Sequence, residues 1–497
     1  MDGVLRASRL RGAYLRTAAL VGTGLVLLGA TGCGGGKASR PATAVPMESA
    51  AQGVSGADSS PDVLPSVANS TDGAADSTKA ASGPSPAPGL QKTGALGASD
   101  RGVTKDSVLL GWLFPNQSSI SYGRSLGMEV PSYGTANYVD PFVKEVNAAG
   151  GINGRKIDLK IVEWELTDSE DKMQAACIEL AEDLKVFATV AYTGFYGDAE
   201  VCLADKQVPA ITFTAASEDY LYRREKGWVH ETVMTKDRML KDMADWIMAA
   251  GIAKPSTKIG VSWTDTNEYN QVMNTVVLPY MKSKGLNVAK TFVYSTDYSQ
   301  TPTETSAAVL QFKAAGVDLV IPVSNWFITI FFTQQADSQA YHPEYAVSDV
   351  GQLTFDVYAQ LFQADQWDKV KGLTALRQGE PAAGKPLTPD QKTCLDVYTK
   401  NGGQEIKSYT DRDLALYGCE HIWLFTKVAR LAGPEPTRTK FLAAFDTLGT
   451  YNERVTITDA LTFRKGKYDG ADRVAILQWR KDCKCYWQVE GFRLGRW

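Results

Sequence analysis

Histidine is almost missing from this chain: three residues in 497, His230, His342 and His421. None has an obvious nucleophile near it in sequence. His421 shares a helical stretch with Trp423 and Phe425, a core pattern. There is no G-x-S-x-G turn and no H-E-x-x-H helix, so two common hydrolase signatures are excluded. Cys483 and Cys485 form a C-x-C without the partner spacing of a zinc site. Glu163 and Glu165 alternate along a strand, the pattern of a solvated face. No catalytic residue, metal or cofactor is expected. Surplus positive charge is missing too. The formal net charge is −4, and residues 1–32 hold four Arg against one Asp, so the remainder stands at about −7. Such a chain offers no basic surface to nucleic acid.

Long apolar runs are also lacking. The one candidate, Ala18–Ala30 (AALVGTGLVLLGA), falls short of the roughly 20 residues that span a bilayer. It follows Arg6, Arg9, Arg11 and Arg16 and ends in small residues, as a secretory signal does. Ala30-Thr31-Gly32-Cys33 reads as a lipobox with Ala in place of the usual Leu. Cys33 is then the lipidated residue and 1–32 the signal; an ordinary cleavage site with an incidental Cys is the alternative. From Gly34 to Asp100 there is no Phe, Tyr or Trp. A segment of Gly, Ser, Ala, Pro, Thr and Asp cannot bury enough apolar surface to fold. Residues 33–103 are therefore expected to be a disordered tether, with ends roughly 45 Å apart.

Seven Cys are present. With Cys33 set aside, six remain: Cys177 and Cys202, Cys394 and Cys419, Cys483 and Cys485. An even number in an exported chain points to disulfides. Nearest-neighbour pairing is one of the connectivities that six cysteines admit, and buried free thiols are the alternative.

Residues 104–497 are too many for one comfortable core and suggest two lobes. Strand and helix patterns alternate. Ser107–Leu113, Lys156–Trp164, Phe187–Ala191 and Pro209–Phe213 read as strands. Ala136–Ala149 and the stretches after Asp168 and around Ala199–Lys206 read as helices between them. The series restarts with a helix over Asp237–Ala250. Strands follow at Lys258–Trp263, Asn287–Val293, Leu319–Val323 and Tyr345–Val347, again with helices between. Two successive βαβ series predict two doubly wound parallel sheets, with the ligand cleft at the strands' carboxyl ends.

The stretch FVKEVNAAGGINGRKIDLKIVEWE resembles the "INAAGGI-G-KIEL" region of the branched-chain amino-acid binding family, the type I periplasmic binding proteins that serve ABC importers. AACIELAEDLKVFATVAYTG, KQVPAITFTAAS and AAGVDLVIP continue the resemblance in order, over nearly all of 105–497. It implies an α/β fold of two parallel-sheet lobes joined by three crossings, near 230–234, 371–376 and 455–460. Lobe 1 is then 104–232 with 375–457, and lobe 2 is 233–374 with 458–497. By the same resemblance, Thr193 and Gly194 after FATVA, and Ala215 and Ser217 after PAITF, hold the ligand on the first lobe. Gly194-Phe195 departs from the hydroxyl-rich run of amino-acid binders. Tyr269 in DTNEYNQ, Trp326 after LVIPVSN, and Asp349 in VSDVG face it from the second, with Asp349 set to pair with a ligand ammonium. Each of these also has a plain reading as a cap or a core residue. The long loop Phe114–Thr135, with Tyr122 and Tyr133, lines the cleft or covers its rim. The implied function is capture of an amino acid, amide or small carboxylic acid by a monomeric lipoprotein of the bacterial cell envelope. It would deliver that ligand to ABC transporter permease subunits. A ligand sensor without transport, or an exported enzyme, are the alternatives.

Overall fold

The computed structural model describes residues 96–495 except 126, 166–169, 192–194, 196, 369, 377–386 and 453–459. Cys33, the signal and most of the expected tether lie outside the described residues, as do Thr193 and Gly194. Among the described residues no helix is long and apolar enough to cross a membrane.

Five strands form the first sheet: β1 (Ser107–Pro115), β2 (Lys156–Trp164), β3 (Ala188–Ala191), β4 (Ala210–Thr212) and β5 (Val229–Glu231). All run parallel, in the order β2-β1-β3-β4-β5. A parallel sheet needs cover on both faces, and β1 shows why its sequence is apolar nearly throughout. Val108, Leu110, Trp112 and Phe114 enter one core cluster, while Leu113 enters the other. The first cluster is closed by Ala136–Ala148 and by three late helices, Pro389–Lys400, Tyr409–Leu431 and Arg438–Leu448. The second is closed by Glu170–Ile178 and Asp198–Asp205.

The second sheet has seven strands. β6 (Lys258–Thr264), β7 (Asn287–Tyr294), β8 (Leu319–Pro322), β9 (Glu344–Ser348) and β10 (Lys371–Thr374) are parallel. A small hairpin, β11 (Gly449–Tyr451) with β12 (Leu461–Phe463), belongs to neither sheet. β13 (Arg473–Arg480) and β14 (Cys485–Leu494) then add an antiparallel edge, giving the order β14-β13-β10-β9-β8-β6-β7. The sheet is therefore mixed at one edge, where parallel strands alone were expected. Only antiparallel neighbours can be joined by a short turn, and here that turn carries Cys483–Cys485.

The chain passes between the sheets after β5, after β10 and after β12. Leu461 and Phe463 pack in the first lobe's core. The third passage thus follows Phe463, later than the expected 455–460. The first and third passages lie side by side. Glu231 bridges to Asp469, its N–H donates to Tyr468 O (2.9 Å), and Gly470 N–H returns to Glu231 O (2.7 Å). Arg238 pairs with both Asp469 and Asp472, and the Tyr222 ring stacks on Tyr468 at 5.1 Å.

All three nearest-neighbour disulfides are present. Cys177–Cys202 ties Glu170–Ile178 to Asp198–Asp205, and Cys394–Cys419 ties Pro389–Lys400 to Tyr409–Leu431.

Candidate functional site

Between the sheets lies a cavity of about 230 Å³, built from the carboxyl ends of strands in both. Phe114 and Pro115 end β1. Phe213, Thr214 and Ala215 follow β4, and Thr264, Thr266 and Tyr269 follow from β6. Asn325, Trp326 and Phe327 follow β8, and Asp349 and Gly351 follow β9. In each case the strand's apolar run delivers the chain to the cleft, and the next helix begins there.

Local caps aim these side chains. Asn325 Oδ1 accepts the N–H of Ile328 (3.1 Å), starting the helix Trp326–Ser338, and its Nδ2 donates to the Tyr298 hydroxyl (2.7 Å). Thr266 Oγ1 accepts the N–H of Tyr269 (3.1 Å). Gly351 has φ 80°, and a Cβ there would stand 2.3 Å from Ser324 O. Only glycine lets the loop after β9 lie against the loop after β8.

The walls are aromatic. Trp326 stacks on Tyr358 at 4.4 Å, and Phe327 meets Trp326 edge-on at 5.8 Å. Tyr298 stands edge-on to Phe327 at 5.5 Å. Two ring pairs cross the cleft, Phe213 with Phe355 (5.9 Å) and Tyr122 with Phe327 (6.4 Å). Tyr122 comes from the helix Gln117–Ser125 inside the long loop, which also supplies Met128, Val130 and Pro131 to the lining. That loop is a wall of the cavity. Tyr133 is not in the lining; its hydroxyl donates to Glu405 O.

Charge is sparse. Lys236 is the single Lys, Arg or His among the described lining residues. Its Nζ is 2.8 Å from Glu268 Oε1 and 4.4 Å above the Tyr269 ring. Burial alone would lower its pKa, but Glu268 and the Tyr269 side lift it above the ordinary value, so the ammonium persists. Asp349 lines the cavity with both oxygens engaged: Oδ1 accepts from Thr354 Oγ1 (2.5 Å) and Oδ2 from Ala375 N–H (2.7 Å). Burial raises its pKa to about 6, against the lowering effect of those bonds. Glu129 accepts the N–H of Thr410 (2.7 Å).

Of the residues expected at the site, Tyr122, Ala215, Tyr269, Trp326 and Asp349 line the cavity. Ser217 does not. Its Oγ accepts the N–H of Tyr220 (3.3 Å) and its own N–H donates to Glu268 (2.6 Å), so it acts as a cap. Ala215, at φ 57°, turns the chain at the cavity wall before Ser217 is reached. Lys236, Phe355 and Tyr358 were not foreseen. The sequence signal for Lys236 is faint, since one lysine opening an amphipathic helix normally faces solvent. All three histidines are structural. His421 is buried, pushed down to about 3 by burial, and bonded to Tyr417 O and Thr232 Oγ1. His230 stacks on Phe445, and His342 bonds Gln366. Among the described residues no group of His, Cys, Asp and Glu is disposed to hold a metal.

Two lobes with their cleft at the strand ends agree with a sequence match: the family profile described as periplasmic binding protein covers residues 133–484. The chain belongs to this family. A periplasmic binding protein is a solute-binding receptor that works outside the cytoplasm, and that is the role of this chain. Leu/Ile/Val-binding protein homolog 8 of Brucella abortus (strain 2308) is 26% identical over 310 residues, 61% of this chain and 72% of the relative. A branched chain amino acid ABC transporter structure from Thermus thermophilus with bound valine matches at 12% identity and TM-score 0.60. It covers 79% of this periplasmic binding protein and 97% of that chain. A solute binding protein of R. palustris in complex with 4-hydroxybenzoate matches at 13% identity and TM-score 0.60, covering 78% and 98%. At such identities these structures establish the fold.

Proposed function

We propose that this chain is an envelope lipoprotein, anchored through Cys33, that captures a small carboxylate with an aromatic or apolar body and delivers it to the permease subunits of an ABC importer. It acts as a monomer, closing one lobe on the other around the solute. The observation that carries the ligand class is the lining itself: aromatic walls with Lys236 as the lone cation among the described lining residues. Flat rings stack on such walls, and the ammonium attracts a carboxylate. An α-amino acid is less well served. Its ammonium would have to reach one of the two carboxylates among the described lining residues: Asp349, which already accepts two hydrogen bonds, or Glu129, which is held by the Thr410 N–H. The cavity, at about 230 Å³, is smaller than the roughly 300–1,000 Å³ of drug-sized pockets, so the solute is small. Delivery to a transporter rests on the family, whose structures include the ABC transporter proteins from Thermus thermophilus and R. palustris.

The test is mass spectrometry of what co-purifies with the protein, followed by calorimetry with benzoate and with leucine. Binding of benzoate over leucine supports the reading. Tight leucine binding with no response to benzoate overturns the ligand class.

A further inference from the structure

Five successive backbone N–H groups, Thr214 to Glu218, follow β4, leading from the cavity wall at Thr214 and Ala215 away behind it. Every one donates to a side-chain carboxylate. Thr214, Ala215 and Ala216 serve Glu231 (3.0, 3.3 and 2.9 Å), Ser217 serves Glu268 (2.6 Å), and Glu218 serves Asp237 (2.8 Å). A row of such donors at a strand's carboxyl end is an anion seat, and here the protein's own carboxylates fill it. Glu231 ends β5, and Asp237 opens the helix Lys236–Ala249 just beyond the first passage. Glu268 comes from the helix Asn267–Val272, after β6 of the other sheet. It is buried, and one of its oxygens serves both the Ser217 N–H and Lys236 Nζ (2.8 Å). A single carboxylate from the second lobe thus joins a loop of the first lobe to the cavity's cation.

We propose that Glu268 is a resident stand-in for the solute's carboxylate: it latches the second lobe to Ser217 of the first and surrenders Lys236 only to an incoming anion. The latch stands on the geometry alone; the competition with solute rests on the carboxylate reading given above. Exchange keeps the buried ammonium paired throughout, but the solute's carboxylate must shed its water and Glu268 is left with the Ser217 N–H alone, so the resident pair opposes binding. A neutral solute cannot make the exchange. A zwitterion brings an ammonium that Lys236 repels and that the displaced Glu268 attracts, so its gain depends on Glu268 being present. Glu268 therefore sets a threshold that a neutral solute does not meet.

The experiment uses the purified full chain as wild type, Glu268→Gln and Glu268→Ala. Amide hydrogen exchange is read without added solute, and affinity is read by calorimetry with benzoate and leucine as probes. Loss of one hydrogen bond should speed exchange at Ser217 by about tenfold in Glu268→Ala. Ala216, still held by Glu231, should not change. Freeing Lys236 should tighten benzoate binding by roughly tenfold or more, with no gain for leucine. Glu268→Gln keeps the shape and an acceptor for Ser217 but loses the charge. It should keep Ser217 protected and still bind benzoate more tightly than wild type. Equal exchange at Ser217 in wild type and Glu268→Ala overturns the latch whatever benzoate does. Weaker benzoate binding in both variants overturns the competition. Absence of benzoate binding in all three proteins overturns the ligand class and the competition together, while the exchange data still decide the latch.

Discussion

Asp349 is held by two hydrogen bonds and by burial, and the balance between them shapes its titration. Its pKa stands at about 6 against an ordinary 3.8. A carboxyl raised in the folded state favours that state in its protonated form. Its charge therefore costs stability that grows as pH rises from about 4 through 6 and then levels off. Asp349→Asn cannot ionise, and its side-chain oxygen still accepts from Ala375. Relative to wild type the variant should gain about 3 kcal/mol between pH 4 and pH 8. Urea unfolding at both pH values measures the gap, and parallel profiles would show that the carboxylate ionises without penalty. Residues such as Trp326 and Tyr269 were legible because each follows an apolar strand, and strand ends mark the cleft. Lys236 and Glu268 were not, because their meaning lies in a pairing between elements more than thirty residues apart.

Among the elements, the 23-residue helix Tyr409–Leu431 shows how far packing overrides propensity. Gly418 sits inside it, where glycine costs roughly 0.5–1 kcal/mol relative to alanine. Yet a Cβ at Gly418 would lie 2.2 Å from Tyr138 O of the neighbouring helix. Gly418→Ala should therefore destabilise by about 1–3 kcal/mol, the range for overpacking, despite the gain in propensity. Thermal unfolding checks the sign; an increase in Tm would mean the two helices separate without cost. The place of this helix in lobe 1 comes only from the family resemblance, which assigns 375–457 there, since nothing local says which lobe a late segment rejoins. β13 and β14 escaped for a related reason. Their antiparallel pairing carries bulges near Ile476, which break the regular alternation a sequence pattern needs.

The disulfides differ in what they can add. Cys177–Cys202 and Cys394–Cys419 each close a loop with a separation of 25 residues. Such a loop is worth roughly 3 kcal/mol through the unfolded chain. The double Cys→Ser variant of either pair should lose about that much in chemical denaturation. The Cys483–Cys485 pair spans a separation of 2 residues and constrains little of the unfolded chain. Its removal should shift stability by about 1–2 kcal/mol, roughly half the loss of the other pairs. An equal loss for all three pairs would point away from loop entropy as the source.

At the scale of the whole molecule, two lobes are held by a carboxylate at their junction. Asp469 is buried and accepts from Arg238, the Tyr222 hydroxyl (2.8 Å) and the Thr235 N–H (3.3 Å). Asp469→Ala leaves Arg238 with the Asp472 carboxylate and strips Tyr222 and Thr235 of their acceptor, and should cost about 2–3 kcal/mol. Asp472→Ala, at a more exposed partner of the same arginine, should cost less, and denaturation of the two variants side by side tests the order. The two-lobe plan was plain from the repeated βαβ series. The point of the third passage was not, because β12 is only three residues long.

The pairing of that passage with the first has a mechanical consequence. Two segments joined edge to edge at Glu231, through its bonds to Tyr468 and Gly470, behave as a strap rather than as two strings. A strap yields to folding across its flat face and resists torsion, because twisting would shear the bonds between its strands. The lobes should swing about one axis, like a door on a broad hinge, with little corkscrew in the motion.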